Sequence, residues 1–419
     1  MKSIRFLLVM MLVALPASNG WGGATSSFHV TDPTMRGIYL TGVESSQTRP
    51  GIKATQHSLI YNNEGIAVSE GLNFYLSVTL SAKLAPFEFH LEPLVFIDQN
   101  TRGTIHKGVL RLATSSLHFD IGKESLWWGQ GEHGSLFLTN NAEPLPMLRL
   151  FNPHPTLLPG VLRYVGPVQF DIFLSRLEAE RVVPNPYFQG TRIVLNPRPI
   201  LKVGLTRTII MGGNGRPGIS PSRFFDIWFG ENKETAAEEL SNSIAGIDFR
   251  LTLPQVEFYG EVGGEDEAGG YPSQDSFLVG IYFPEGSKGN DFRIEYADIS
   301  NSAWYVHSLY QSGYTYKGRI LGHHVGGGGR DLFFEKGIIK TEKVYGKINL
   351  DYEERGIETN TVTERHYQAG TNWEARGREI RIPWTVQVGF TYDWIRNAGN
   401  TANLNQENAL LTFSLIGQM

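Results

Sequence analysis

The sequence predicts an all-β fold, a transmembrane antiparallel β-barrel of about 18 strands whose lumen is occluded by inward-folded loops. Three observations support this prediction. The N-terminus resembles an export signal, a two-residue periodicity runs through most of the chain, and the connections between predicted strands alternate between short and long.

The N-terminus has the features of a secretory signal peptide. Lys2 and Arg5 precede an apolar run, residues 6–15, and small residues suitable for cleavage follow, after Gly20 or Ala24. The run is too short to cross a membrane as a helix, and the absence of cysteine excludes a lipoprotein anchor and a disulfide framework. The expected divisions are a signal peptide, a short periplasmic lead and a barrel: residues 1–20, 21–35 and 36–419.

The composition indicates a folded β protein. The 419 residues are 41% hydrophobic and 12% aromatic, which is too apolar for a disordered chain. The formal charge of −5 has no basic cluster beside it, so nucleic-acid binding is not expected. No run of 18 apolar residues follows the signal peptide, and helix signals are scarce, the clearest being residues 233–243.

The two-residue periodicity predicts strands with two different faces. In LNFYLSVTLSAKL (72–84), every second residue from Leu72 to Leu84 is apolar, whereas the residues between are mostly polar. The faces opposite the apolar ones carry charges: Glu88, Asp171, Asp248, Arg250, Arg293, Glu295, Lys347 and Asp393. The predicted strands are 36–46, 72–84, 87–97, 106–114, 117–125, 161–166, 168–178, 190–196, 201–210, 244–253, 256–263, 276–283, 292–299, 332–340, 343–353, 365–375, 379–394 and 408–417.

A soluble sandwich or solenoid and an outer-membrane barrel could both produce this periodicity. The connections distinguish them, because one alternate set is short and the other is mostly long. The short set is 85–86, 115–116, 166–167, 196–199, 254–255, 284–291, 341–342 and 376–378. The long set is 47–71, 126–160, 179–189, 211–243, 264–275, 300–331, 354–364 and 395–407. Short periplasmic turns and long outward loops are typical of an outer-membrane barrel, so the barrel is favoured.

The segment LWWGQGEHGSLFL (126–138) contains a literal match to the dinucleotide fingerprint, Gly129-Gln-Gly131-Glu-His-Gly134. The fingerprint binds a pyrophosphate at the N-terminus of a following helix, but here Pro144 and Pro146 follow. Nucleotide binding is therefore not expected. The segment instead belongs to a long outward loop, and such loops are usually functional or fold inward.

Four motifs in order resemble the Wzi-type capsule assembly proteins. They are GKESLWWGQGEHGSL (122–136), MGGNGRP (211–217), EFYGEVGGEDEAGGYPS (257–273) and HSLYQSGYTYKGRILGHHVGGGG (307–329). The resemblance runs from about residue 36 to the C-terminus. It implies an outer-membrane barrel that binds capsular polysaccharide, attaches it at the cell surface and has no catalytic activity. Family members can carry a periplasmic helical region ahead of the barrel, which the short predicted lead does not provide.

Aromatic and charged residues of the outward loops are the candidate glycan contacts, because flat rings cover the C–H faces of sugars. The candidates are Trp127, Trp128, Arg216, Trp228, Asp266, Trp304, Tyr310, Tyr314 and Tyr316. Each has an alternative role. The tryptophans could anchor their loop inside the barrel mouth or join an interfacial girdle, the tyrosines could belong to a hairpin that packs on itself, and Arg216 could pair with loop acids.

Two other groups of polar residues do not predict a metal or catalytic site. Neighbouring histidines, His323 and His324, would diverge in a strand and lack a partner at a defined spacing, so no metal is expected. Consecutive acids, Glu265 to Glu267, could hydrolyse a glycoside or bind calcium, but a solvated charge run is commoner. No catalytic residue and no cofactor is predicted.

The function that follows is a monomeric outer-membrane lectin whose partners are extracellular polysaccharide and outer-membrane lipid. It would tether a capsular or exopolysaccharide through many weak contacts along a repeating polymer. The alternative is a porin-like channel for small solutes, in which the polar lumen is open. An enzyme is less favoured still, because no catalytic constellation can be assembled from the spacing of residues.

Overall fold

The computed structural model describes residues 26–42, 46–49, 52–55, 57–97, 101–228, 241–268, 271–284, 290–378 and 383–417. The predicted signal peptide lies outside these residues, as do residues 233–240 of the predicted helical stretch, whereas 241–243 begin a strand. The principal sheet has 19 strands, one of which is the two-residue strand Thr156–Leu157; the other 18 are long. The predicted strand number is therefore confirmed.

We number the long strands in chain order. They are β1 (Ser26–Thr41), β2 (Gly71–Leu84), β3 (Phe87–Ile97), β4 (Arg102–Ala113), β5 (His118–Glu124), β6 (Leu145–Phe151), β7 (Pro167–Arg176), β8 (Tyr187–Arg198), β9 (Leu201–Met211), β10 (Ser241–Thr252), β11 (Glu257–Ala268), β12 (Tyr271–Phe283), β13 (Phe292–Ile299), β14 (Gly329–Lys340), β15 (Val344–Arg355), β16 (Glu364–Gly377), β17 (Trp384–Arg396) and β18 (Asn405–Gly417). Two short hairpins pair Ser46–Arg49 with Ile52–Thr55 and Thr315–Tyr316 with Arg319–Ile320.

The barrel closes between its first and last strands. Consecutive long strands pair antiparallel around the sheet, and β1 pairs with β18 from Thr34↔Ile416 to Thr41↔Ala409. Closure gives every long strand a neighbour on each side, as a membrane-spanning wall without a free edge requires.

The first strand begins at Ser26, not at residue 36 as predicted, so residues 26–35 of the expected lead belong to β1. Residues 26–31 pair with β2 alone, and an irregularity lies between Thr31 and Thr34. Pro33 and the positive φ of Asp32 lie in that irregularity, where they interrupt the alternating pattern that would have revealed the longer strand.

The sixth strand also differs from its prediction. Residues 161–166 do not form it; a 3-10 helix covers Gly160–Val165, and β6 lies earlier, within the predicted loop 126–160. Within β6, Pro146 pairs with Lys123 of β5 but has no partner on its other side, because the β7 partners of β6 end at Met147. The missing donor of Pro146 therefore interrupts no ladder between β6 and β7.

Short and long connections are sorted between the two ends of the barrel. At the turn end, residues 85–86, 199–200 and 341–343 join neighbouring strands, although 152–166 make a longer connection. At the opposite loop end lie the long connections 42–70, 125–144, 177–186, 212–240 and 300–328. The predicted outward loop 264–275 is wrong, because β11 and β12 extend through most of it and leave only 269–270 between them.

The outer surface of the barrel is apolar. Leu72 and Phe74 of β2 are exposed outward, whereas the next residue, Tyr75, is buried and faces inward, as the alternation predicts. Aromatic rings meet across neighbouring strands near both ends: Tyr367 contacts Tyr352 and Trp394 towards the loop end, and Phe283 stacks on Phe292 at the turn end. Two aromatic girdles around an apolar band are typical of a barrel wall in lipid.

The helices of the described residues are short. A single α-helix, α1 (Pro221–Trp228), and the 3-10 helices Gly160–Val165 and Ala398–Asn400 occur among the described residues, and none of them is long and apolar enough to cross a membrane. Helix α1 covers Ile209 and Met211, which lie on the outward phase of β9 together with the exposed Leu205. The helix therefore packs against the outside of the barrel.

Three segments from the loop end, 57–70, 125–144 and 300–328, fold inside the barrel, and we call them the inner loops. Apolar side chains of the second and third, such as Phe137 and Tyr314, form the largest buried cluster with inward residues of the wall, such as Phe173. The first packs through Ile60 and Ile66 in a separate cluster with inward residues of the wall. The interior of the barrel is thus packed by its own connections.

Candidate functional site

The glycine-rich segment of the second inner loop is wrapped around two carboxylates of the barrel wall. Glu261 of β11 accepts backbone N–H bonds from Gln130 at 2.6 Å, Gly131 at 2.8 Å and Leu136 at 2.9 Å. Ser135 Oγ also contacts the Glu261 carboxylate, at 3.0 Å. Because four donors from one loop converge on this carboxyl group, Glu261 fixes the course of the loop.

The second carboxylate is Glu295 of β13, which accepts from three successive residues. The N–H groups of Glu132, His133 and Gly134 lie 2.9, 3.1 and 3.1 Å from its oxygens. Successive N–H groups converging on an anion are the arrangement by which glycine-rich loops hold phosphate. The match to the dinucleotide fingerprint thus has a physical basis, but the anions here are side chains of the same protein.

Close approach accounts for the glycines of this segment. A Cβ at Gly131 would lie 2.0 Å from the carbonyl oxygen of Gly134, and a Cβ at Gly134 would lie 2.3 Å from the ring of His323. Neither position tolerates a side chain without movement of the neighbouring backbone or ring.

The charges predicted on the inward faces do hold the inner loops. Asp248 accepts from Gln130 Nε2 at 2.6 Å and also pairs with Arg192 of β8, at 2.7 Å. Arg250 donates to the carbonyl oxygen of Gln130 at 2.6 Å and pairs with Glu132 at 3.1 Å. These lumen charges thus both pair with one another and retain the second inner loop.

The third inner loop is held by buried tyrosines. Tyr305 donates to the carbonyl oxygen of Leu136 at 2.6 Å, and Tyr314 donates to that of Phe137 at 2.8 Å. The rings of Tyr305 and Tyr314 stack with centroids 5.2 Å apart. Burial raises the pKa of both phenols, so they stay protonated donors.

The first inner loop is held by charged groups that sequence reasoning did not single out. Glu64 accepts from His106 Nε2 at 3.1 Å and contacts the Lys107 ammonium, both on β4. Burial opposes ionisation of Glu64, but these two partners outweigh it and lower its pKa to about 2. Arg319 of the third loop donates to the carbonyl oxygen of Ile60 at 2.9 Å, which joins the inner loops to each other.

Five of the predicted glycan contacts lie in the packed interior. Their side chains are at most 5% exposed, and they belong to the buried cluster: Trp128, Trp304, Tyr310, Tyr314 and Tyr316. Trp128 packs against Phe173 and donates to Asp171 at 3.3 Å. The alternative roles, anchoring a loop inside the barrel and packing within a hairpin, are the ones the structure supports for these rings, because burial leaves no ring face for a sugar.

The remaining candidates are spread over three places. Trp127 lines a cavity of about 370 Å³ with Phe151 and Val194, on the turn-end side of the inner loops, and donates to the carbonyl oxygen of Gly131 at 3.0 Å. Trp228 ends α1 outside the barrel, with Nε1 3.4 Å from Thr191 Oγ1 on the outward face of β8. The structure does not bring these two tryptophans together.

Arg216 and Asp266 both belong to the loop end. Arg216 is half-buried, and its N–H bonds to the carbonyl oxygen of Gly213 at 3.1 Å. The backbone of Asp266 belongs to the last part of β11, and its side chain is outside the described atoms. Nearby on the same end, Lys317 and Lys123 lie 2.8 and 3.3 Å from Glu143.

Serine, histidine and acid residues meet inside the barrel without forming a catalytic triad. The hydroxyl of Ser58 donates to Asp393 at 2.6 Å, and Asp393 also contacts His366 Nδ1 at 2.9 Å. The imidazole does not contact the hydroxyl, so it is not placed to activate it as a nucleophile. All three side chains are buried.

Comparison with known proteins gives one family and one barrel architecture. The family model described as capsule assembly protein Wzi matches residues 43–410. A Klebsiella pneumoniae protein described as an uncharacterized 55.8 kDa protein in cps region is 36% identical over 169 residues, which are 38% of this chain and 33% of that protein. The match thus spans about a third of that relative's length.

Solved structures support the same fold. The chain is similar to Wzi from Escherichia coli, described as an outer membrane protein involved in group 1 capsule assembly and as a carbohydrate-binding β-barrel, with 20% identity, a TM-score of 0.69 and coverage of 99% of this chain and 87% of that one. The outer membrane protein OpdK from Pseudomonas aeruginosa is more distant, with 10% identity, a TM-score of 0.51 and coverage of 93% and 98%.

Proposed function

This chain belongs to the Wzi family of capsule assembly proteins, and from that membership and the geometry of the barrel we propose that it is an outer-membrane lectin, which binds capsular or exopolysaccharide and anchors it at the cell surface. The observation that carries the proposal is the packing of the lumen by three inner loops, hydrogen-bonded to the wall. A barrel filled in this way offers its loop end as a binding surface.

Three connections at the loop end form one continuous surface, which we call the rim surface: residues 177–186, 212–220 and 308–318. Val182 N–H donates to Ser312 Oγ at 3.0 Å, and Arg181 donates to the carbonyl oxygen of Gly313 at 2.8 Å. Tyr310 donates to the carbonyl oxygen of Gly212 at 3.2 Å. The buried rings therefore support this surface from beneath, which is the role we propose for them.

Polar groups on the rim surface are suited to sugar hydroxyls. Glu180, Asn214 and Gln311 are exposed there, and the half-buried Arg216 is the predicted glycan contact that remains on it. Single contacts of this kind are weak, but a repeating polymer can engage many barrels on one cell, so that avidity exceeds each affinity. We propose Arg216 and Gln311 as contacts, and Asp266, at the loop end of β11, stays a proposed contact.

The proposed activity is binding without catalysis. The buried serine, histidine and aspartate described above are not arranged as a nucleophile and base. The alternative function, a porin-like channel, requires a continuous aqueous path, which the packed inner loops oppose. No described feature favours the channel over the lectin.

Polymer retention on cells tests the proposed surface. We expect the double variant Arg216→Ala, Gln311→Ala to retain several-fold less polymer than the wild type. The matched control is Arg163→Ala, which removes an exposed arginine at the turn end and should leave retention unchanged. Unchanged retention in the double variant, with the barrel assembled, would show that the rim surface does not bind the polymer.

A further inference from the structure

Four buried ligand groups from four separate segments converge inside the barrel. His133 comes from the second inner loop, His324 from the third, Asp331 from β14 and Asp351 from β15. One ligand atom from each lies within 4.8 Å of every other. This cluster takes no part in the proposed rim surface.

The separations fit a small tetrahedral ion. His133 Nε2 lies 3.1 Å from Asp351 Oδ2 and 3.4 Å from Asp331 Oδ2, and His324 Nε2 lies 3.3 Å from the same oxygen of Asp331. Tetrahedral zinc with bonds of about 2.0–2.1 Å places its ligand atoms roughly 3.3–3.4 Å apart. Imidazole nitrogen and carboxylate oxygen are both zinc ligands.

A second observation is that carboxylate oxygens of the cluster lack hydrogen-bond donors. Neither oxygen of Asp331 accepts a hydrogen bond, and Oδ1 of Asp351 accepts none either. Their side chains are 2% and 1% exposed. A buried polar atom without a partner is costly, and a cation among these oxygens would remove that cost.

Both imidazole rings are held by aromatic stacking. Phe333 stacks on His133 with centroids 3.8 Å apart, and Tyr61 stacks on His324 at 4.0 Å. A neighbouring acid, Glu353, also lies 3.3 Å from His324 Nε2, but it forms an ion pair with Arg355. Asp331 and Asp351 therefore remain the carboxylates available to the two histidines.

We propose that His133, His324, Asp331 and Asp351 bind a divalent transition metal ion, zinc by ligand type, which fastens two inner loops to the barrel wall. Two neutral imidazoles and two carboxylates balance the charge of the ion. The sequence had argued against a metal because neighbouring histidines diverge in a strand. Here His323 and His324 lie outside a strand with stacked rings, His133 is remote in sequence, and Asp331 and Asp351 come from the two strands that follow.

Metal titration of the purified, folded barrel tests the proposal. After treatment with a chelator, the wild type should bind one equivalent of zinc, and cobalt in its place should give the intense visible absorption of a tetrahedral site. Asp331→Asn and His324→Gln should each weaken zinc binding at least tenfold and abolish the cobalt spectrum. The matched control, His90→Gln on β3, should bind like the wild type.

Folding and metal binding are separated in the same experiment. Each variant is first checked for the heat-modifiable migration of an assembled barrel on gels, and a chelator should lower the melting temperature of the wild type but not of Asp331→Asn. A wild type that binds no zinc, or binds it no better than Asp331→Asn, would overturn the proposal. Polymer retention is a separate readout, so failure here would not count against the lectin.

Discussion

At the scale of single residues, the glycines of segment 129–134 are explained by the space around them. The segment looked like a nucleotide motif because its backbone N–H groups are free to converge on an anion. Glu261 and Glu295 supply the anions, and the glycines allow the loop to approach the wall and the neighbouring loop closely. The segment alone does not show which anion its N–H groups bind, because strands of the barrel wall supply that anion.

Gly134→Ala tests this explanation. The added Cβ would lie 2.3 Å from the His323 ring, so we expect the overpacked interior to lose about 1–3 kcal/mol of unfolding free energy. Urea unfolding in lipid vesicles measures the change. Gly218→Ala is the matched control, because nothing lies within 4 Å of a Cβ there. Equal stability of the two variants would contradict the packing we describe.

Trp228, a predicted glycan contact, has a packing role instead, because it lies between α1 and the outside of the barrel. Its side chain packs with Ile209, Met211 and Ile227 outside the barrel, so we expect Trp228→Ala to reduce the unfolding free energy by about 1–3 kcal/mol and to leave polymer retention unchanged. Phe225→Ala, which truncates an exposed ring of the same helix, is the control for both measurements. Loss of polymer in Trp228→Ala alone would restore the residue to the glycan site.

At the scale of elements, the first inner loop is tethered to β4 through Glu64. The pKa of Glu64 is lowered to about 2, so its carboxylate is ionised at neutral pH and holds its contacts with His106 and Lys107. These contacts are lost only as the pH falls towards 2 and the carboxylate is protonated. Glu64→Gln removes the charge at every pH, so we expect faster proteolysis within residues 57–70. Wild-type protection should be equal at pH 7 and pH 5.

The matched control for this loop is Glu70→Gln, because Glu70 is an exposed acid that precedes β2. Its proteolysis should follow the wild type at both pH values. If Glu64→Gln were cleaved no faster than Glu70→Gln, the tether would not be what holds the loop inside the barrel.

Alternation of apolar residues predicted most strands, because each wall residue faces either lipid or the interior. The prediction failed where prolines interrupt that signal, at Pro33 within β1 and at Pro146 within β6. Proline is tolerated at both positions because of how each strand pairs with its neighbours, and the sequence of one strand does not show that pairing. The extent of β11 and β12 was also missed, since their glycine-rich and acidic ends resemble a loop.

At the scale of the whole molecule, strand number, loop asymmetry and family could all be predicted from the sequence, and the family match confirms the resemblance given by the four motifs. The packing of the barrel interior could not be predicted from the sequence. Contacts such as His133 with Asp351 join residues more than 200 positions apart, and their closeness depends on which strands neighbour each other around the closed wall. For the same reason, the sequence does not reveal that rings such as Trp304 are buried.

Conductance distinguishes a packed barrel from a pore. Because the inner loops bond to walls on several sides of the lumen, we expect the purified protein in a planar lipid bilayer to show no steady open channel. An OpdK-type barrel reconstituted in parallel serves as the control for insertion. A steady current of porin size from this protein would favour the channel function over the lectin function.

The central claim is that this barrel anchors a polysaccharide at the cell surface, and the division of polymer between cells and medium tests it most directly. In a strain that lacks the protein, total polymer should be unchanged while the cell-associated fraction falls and the released fraction rises. The wild-type gene should restore the cell-associated fraction. An unchanged cell-associated fraction in the strain without the protein would contradict the claim.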